Sequence, residues 1–475
     1  MNRLFLFLIP MIVVSVNILI NGFESVYFLV PTLLAAILLA DLIKRTIKSS
    51  TMFHPVPFVS LMLVWAMVCA PFVAYGSGYN IALAPKDIDW LTWQSITSHI
   101  YFFCILFYYL GVRLGISHCY EPKQYTFRSK PTVIKLALVF LSLSLLLQIL
   151  VFAKFGGMAG YVDVWSNDRS QFKGLGAILI VAEAFPILLA FVILYLYRND
   201  RKGLYFFVGL IIVFFVLKLV FGGLRGSRSN TIWGLFWLAG VIHIVYYRFK
   251  KIHFAVGVAF LVAFMSIYSL YKSFGVDGFT SGYSVSDTGR YEGNPALGVL
   301  LTDFSRSGEH SYILHEFFNT DEYDIKYGNT YLSSLLKLIP GLNNPFGKID
   351  KNFAGAQLFY SHYNIDSEHS YYYNSRIYGL YGEGVLNFGP IIPVFMFFVI
   401  GSIIGFIHGW VTRFSLSDPR IYIVPFVSNL CLMFVLADSD NIMFFAFKNG
   451  LFVIFFILFI SKIKLNTSNA HVGEV

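Results

Sequence analysis

Charge is scarce in this sequence: Asp, Glu, Lys and Arg together make up 13% of its 475 residues. An ordinary soluble domain carries about 25%, so the chain is excluded from that class and cannot cover a large surface with ionised groups. Cysteine is scarcer still, at four residues. Cys69, Cys104 and Cys431 fall in apolar runs and Cys119 in a basic loop, which leaves no disulfide framework and no thiolate metal site. No P-loop, dinucleotide-type glycine pattern or workable Ser-His-Asp order occurs. Nucleotide chemistry on the inner side is therefore not expected. Fixed-period repeats and low-complexity linkers are also missing, and no tight carboxylate cluster suggests a metal; no cofactor is expected.

What is abundant is apolar, at 57% of residues. A chain of this kind has lipid as its main solvent, and about 20 apolar residues suffice to cross a hydrocarbon core. Stretches of that length lie near 4–20, 23–43, 56–75, 97–117, 132–153, 174–197, 203–221, 230–247, 253–271, 389–411, 420–437 and 442–461. The expected fold class is all-α: a polytopic integral membrane protein with about twelve transmembrane helices and a large extracytoplasmic loop containing short helices. Three blocks follow: 1–271 with nine spans, 272–388 as the large loop, and 389–475 with three spans and a tail.

Orientation is read from Lys and Arg, which collect in short cytoplasmic loops. Lys44, Arg45 and Lys48 share one loop; Lys123, Arg128 and Lys130 another. Arg198, Arg201 and Lys202, then Arg248, Lys250 and Lys251, then Arg413 and Arg420, and finally Lys462 and Lys464 continue the alternation. Of the acidic residues only Asp41, Glu121, Asp200, Asp418 and Glu474 fall on that side. Both termini are expected to be cytoplasmic. The formal charge of +9 expresses this bias and not affinity for nucleic acid. The first apolar run lacks a small-residue cleavage site and is followed at once by another, so it is expected to remain as an anchor.

The outer segments 76–96, 154–173 and 272–388 exceed simple turns, and the last is far longer than a connector requires. Within it 308–319, 330–339 (stopped by Pro340 and Gly341) and 353–360 read as short helices. Tyrosines such as Tyr371, Tyr372 and Tyr373 suit stacking on sugar rings or, equally, an interfacial aromatic belt. Arg290, Arg306, Glu309 and His310 read as a solvated face.

Two charged constellations carry chemistry. The turn Phe221-Gly222-Gly223-Leu224-Arg225-Gly226-Ser227-Arg228 places cations against the positive-inside trend. On a continuing helix Lys218, Arg225 and Arg228 project from one face, and the glycines free backbone N–H groups. Arginine forks suit phosphate oxygens; the alternative is pairing with headgroups or loop carboxylates. The second constellation precedes the tenth span, where His369, Tyr373, Arg376 and Glu383 share a helical face. A desolvated Glu383 would be a general base, or else an ion-pair partner of Arg376; His369 is the second candidate base. Glu183, in the outer third of the sixth span near Pro186, is either functional or paired with Lys218 or Lys448. Arg169, in the strap that begins Gly156-Gly157, is a further candidate phosphate contact.

The layout, the 221–228 turn, the Gly-Gly…Tyr…Arg segment at 156–169 and Gly-Glu-Gly-Val-Leu-Asn-Phe-Gly at 382–389 resemble the Wzy-type O-antigen and oligosaccharide repeat-unit polymerases of bacteria. In one respect the chain departs from some members: no glycine follows Arg169, Arg225, Arg228, Arg290, Arg306 or Arg376 eleven positions on. The resemblance implies a GT-C-like fold in the bacterial inner membrane and two undecaprenyl-diphosphate-linked oligosaccharides as donor and acceptor. It also implies polymerisation at the periplasmic face, and a chain-length regulator as a possible partner besides the lipid bilayer. Glu383 or His369 would then be the base; Arg225, Arg228 and Lys218, with Arg376, Arg169 and Tyr373, would bind diphosphate and glycan. Competing readings are a flippase for the same lipid-linked sugars, an O-antigen ligase, and a non-enzymatic assembly scaffold.

Overall fold

A computed structural model describes residues 5–23, 25–78, 88–167, 169–172, 174–200, 202–224, 228–274, 295–319, 323–336, 354–355 and 377–464. Among the described residues, nine helices are long and apolar enough to cross a membrane. They are Pro55–Ser77, Trp90–Ser117, Lys130–Lys154, Gly176–Leu196, Leu204–Gly223, Lys251–Tyr268, Ile392–Val411, Pro419–Leu436 and Ser439–Ile460. Each occupies one of the apolar stretches read from the sequence. The other three stretches hold Phe5–Asn21, Leu29–Thr46, whose last turns carry Asp41, Lys44 and Arg45, and the shorter apolar helix Asn230–Tyr246.

Polarity along these helices runs inside out. On Lys130–Lys154 the exposed residues include Leu138, Val139, Leu146, Ile149 and Leu150, whereas Ser144 and Gln148 are buried. Ser144 donates to the carbonyl oxygens of Val181 and Ala182 at 2.6 and 3.1 Å. A helix in water would face the other way, so the medium outside is apolar and the protein is multi-pass.

The described chain is not purely helical. Tyr125–Phe127 pairs antiparallel with Ser461–Ile463, Thr126 opposite Lys462. Three residues per strand alternate too briefly for the pattern to be visible in sequence.

The residues pack as two compact units, neither following chain order. The first comprises 1–118, 254–408 and 428–445. In it Gly111 and Gly115 of the 90–117 helix meet Phe398 and Ser402, while Gly401 and Gly405 meet Tyr108 and Val112. A Cβ on any of the four would overlap the opposing backbone, so these two helices approach through paired small-residue faces. The 295–319 segment lies beside candidate spans of the same unit. Trp65 Nε1 donates to the Leu300 carbonyl at 3.1 Å and Ser305 Oγ to the Ala66 carbonyl at 3.0 Å. Thr97 and Ser311 hydroxyls are 2.9 Å apart.

That placement corrects one expectation. The helix Ser307–Asn319 exists as read, but Glu309 and His310 are buried in it and form no solvated face. Its polar side chains have partners along the 90–117 helix, which hydropathy alone does not reveal. The helix read at 330–339 is Asn329–Leu336. Of 353–360 only Ala354 and Gly355 are described, and both are helical.

The second unit comprises 119–253, 409–427 and 446–475. Trp237 Nε1 donates to the Tyr422 carbonyl at 2.6 Å, and Tyr246 Oη to the Leu194 carbonyl at 2.8 Å. Arg420 pairs with the buried Asp418 at 2.7 Å and lies over the rings of Tyr125 and Phe414. Among the described residues four of its helices break regular geometry. Gly176–Ala182 gives way to Phe185–Leu196 with Pro186 in the first turn, and π-turns occur at Leu219–Gly223, Ile242–Tyr246 and Ala446–Gly450. Inside the first π-turn Phe221 leaves helical geometry and Gly222 has φ +130°, which an L side chain resists.

Candidate functional site

Glu383 lies on the helix Gly379–Phe388 of the first unit and is 1% exposed. Its Oε1 accepts from the hydroxyls of Thr330 at 2.8 Å and Ser439 at 2.6 Å, and Oε2 accepts from the Ser439 backbone N–H at 2.7 Å. Ser439 opens a helix after the break at Ala437 and Asp438, so the carboxyl receives the first N–H of that helix, where negative charge is favoured. Burial and the neighbouring Asp438 charge nevertheless push the Glu383 carboxyl up to about 7, against the lowering effect of those hydrogen bonds. A carboxyl poised there can take and return a proton near neutral pH.

The neighbours are fixed with equal care. Asp438 Oδ1 accepts the backbone N–H groups of Tyr378 and Gly379 at 2.7 and 2.8 Å. Gly379 has φ +67°, the left-handed conformation that lets both N–H groups aim at one oxygen. One turn beyond Glu383, Asn387 donates to the Glu383 carbonyl at 2.8 Å and to Thr330 Oγ1 at 2.7 Å, and accepts from Gly328 N at 3.1 Å. Lys326 N and Tyr327 N donate to the Leu386 and Asn387 carbonyls. The 326–330 turn is thereby latched to the 379–388 helix.

His310 supports the same corner. A carbonyl only accepts, so its Nε2 carries the proton donated to the Tyr378 carbonyl at 2.6 Å; Nδ1 then accepts from Tyr101 Oη at 2.7 Å. Burial, with the Arg306 charge, pushes the imidazole down to about 4. His310 is therefore neutral, with both nitrogens committed to position.

In the second unit Glu183 is 3% exposed, inside a candidate span. Its Oε2 is 3.3 Å from Lys448 Nζ and accepts from Asn230 Nδ2 at 2.6 Å. Its backbone carbonyl accepts from Lys218 Nζ at 3.1 Å. A Cβ at Gly222 would stand 2.8 Å from the carboxyl. Both lysines weighed as partners thus converge on Glu183, Lys448 on the carboxylate and Lys218 on the carbonyl. Three of this unit's irregular helices meet here, and non-helical backbone inside a candidate span requires such internal partners.

Of the remaining sequence candidates, Arg225, His369, Tyr373 and Arg376 lie outside the described residues. Arg228 opens the helix Arg228–Val241, and Arg169 begins the 3-10 turn Arg169–Phe172. Sequence reasoning missed Asp438, Ser439, Thr330 and Asn387. The polar run Asp438-Ser439-Asp440-Asn441 between two apolar stretches was the available signal. Among the described residues no three His, Cys, Asp or Glu side chains converge as metal ligands. No family model, curated protein or solved structure matches the chain.

Proposed function

We propose that the chain is a polyprenyl-diphosphate-dependent inverting glycosyltransferase that polymerises lipid-linked oligosaccharide repeat units. In this reading it has about twelve spans in a GT-C-like arrangement in the bacterial inner membrane, both termini cytoplasmic and the 272–388 loop periplasmic. The observation that carries the reading is the Glu383 carboxyl, buried beside Asp438 and held by the Thr330 and Ser439 hydroxyls and the Ser439 N–H. Glu383 takes the proton of an acceptor sugar hydroxyl. That oxygen bonds to the anomeric carbon of the donor from the face opposite the diphosphate. The carbon–oxygen bond to the diphosphate breaks with its electron pair on the leaving oxygen. Arg225 and Arg228 keep their sequence-based role of stabilising that developing charge. Lys218, held on the Glu183 carbonyl, contributes by fixing the adjoining turn. His369, Tyr373, Arg376 and Arg169 keep their sequence-based roles in binding glycan and diphosphate.

The test is reconstitution of the purified protein with a synthetic polyprenyl-diphosphate repeat unit, with products separated on a gel. A ladder supports polymerisation. Single transfer to a lipid A core would replace this reading with a ligase, and translocation without new glycosidic bonds would replace it with a flippase.

A further inference from the structure

The phenol oxygen of Tyr331 is enclosed by protein and has no hydrogen-bond partner. A buried hydroxyl left in this state costs the fold stability, and such groups are rare enough in native proteins that each calls for a cause. Its surroundings supply one. Tyr331 follows Thr330, which donates to Glu383, and its ring stacks on Phe388 at 6.2 Å between centroids. Burial, then the charges of Glu383 and Asp438, push its pKa upward, so it remains a neutral donor that feels both carboxyls.

The backbone that delivers Tyr331 is also unusual. Tyr327 has φ +48°, the one non-glycine residue with positive φ among those described, and Gly328 follows at +85°. Strain of this kind persists only where the surroundings impose it, here through the Asn387 and Leu386 contacts. The turn is held in a costly shape, and it carries a buried hydroxyl that no protein group in the fold satisfies.

The chemistry of the missing partner is constrained. Two carboxyls disfavour an anion, and an apolar group would leave the phenol as it is. A sugar hydroxyl, both donor and acceptor, satisfies Tyr331 and Glu383 together. We propose that Tyr331 is a substrate-contacting residue of the Glu383 site, its hydroxyl donating to a sugar oxygen of the bound glycan. This rests on the glycan-transfer reading above.

The test uses the full chain reconstituted with the polyprenyl-diphosphate-linked repeat unit, comparing wild type, Tyr331→Phe and Glu383→Gln. For Tyr331→Phe we expect KM to rise about tenfold, equivalent to ~1.4 kcal/mol, with Tm unchanged or raised. Unchanged KM and kcat in Tyr331→Phe, with Glu383→Gln inactive, would overturn the Tyr331 assignment alone. A lowered Tm in Tyr331→Phe would overturn it too, by showing that the hydroxyl serves the fold. A wild-type protein without elongation, or Glu383→Gln at the wild-type rate, would instead remove the reading beneath it.

Discussion

Glu183 and Glu383 are both buried, and their charged neighbours differ in sign. Glu183 lies in a candidate span with the Lys448 ammonium 3.3 Å away and the Asn230 amide on the same oxygen. Glu383 lies outside the candidate spans, receives only neutral donors, and has Asp438 as its charged neighbour. A buried carboxylate with a cation is fixed in its charge and ties elements together. A buried carboxyl beside another carboxyl holds a proton it can exchange. Burial alone does not distinguish structure from chemistry; the sign of the nearest charge does.

Removing the cation from the first site should have the largest effect. Lys448→Met strands the Glu183 charge and is expected to cost about 3–5 kcal/mol of stability, read as a lowered Tm in detergent. Adding Glu183→Gln should recover much of that loss. A double variant no more stable than Lys448→Met would mean that the two groups do not depend on one another.

Glu383→Gln should separate activity from stability. The new amide can place its oxygen on the Ser439 N–H and its NH2 toward the Thr330 and Ser439 hydroxyls, which rotate to accept. Stability is expected to change by about 1 kcal/mol or less. Elongation is expected to fall by about 10²–10⁴-fold, the usual contribution of a positioned general base. A large Tm loss without a specific loss of turnover would move Glu383 into the class of Glu183.

The pH dependence sharpens the contrast because stability and activity run in opposite directions. The ordinary glutamate value is 4.5 and Glu383 is raised to about 7. Between those values the unfolded chain has released this proton while the folded protein still holds it. The stabilisation it provides is complete below about 4.5 and is lost as pH rises through 7. Base catalysis needs the ionised form and therefore increases over the same interval. Thermal unfolding and initial rates across pH 4–8 would check both slopes, and Glu383→Gln should flatten them. At the small end, Tyr327→Gly should relieve the left-handed strain and raise stability by less than about 1 kcal/mol, measured by Tm.

The apolar runs made the helical architecture legible, because lipid as solvent demands about 20 consecutive apolar residues and little else. Glu383 was also legible, as a charge at the end of such a run. Its site was not. Thr330, Asn387 and Ser439 come from three separate segments, and each is a residue type that occurs harmlessly in turns. Glu309 and His310 looked solvent-facing because polar residues in a long loop usually are, yet Tyr101 and Tyr378 provide His310 with partners inside the fold. For Glu183 both candidate lysines could be named, but the division between carboxylate and carbonyl depends on two π-turns that hydropathy does not encode.

The central claim is that burial, together with the Asp438 charge, holds Glu383 in a titratable state for proton transfer. Its most direct test is the pH–rate profile of ladder formation by wild type and Asp438→Asn. The asparagine oxygen can still accept the Tyr378 and Gly379 N–H groups, so the corner is kept while the charge is removed. The account predicts an acid limb near pH 7 in wild type, moved to lower pH in Asp438→Asn. Superimposable profiles, or a rate independent of pH across that range, would contradict it.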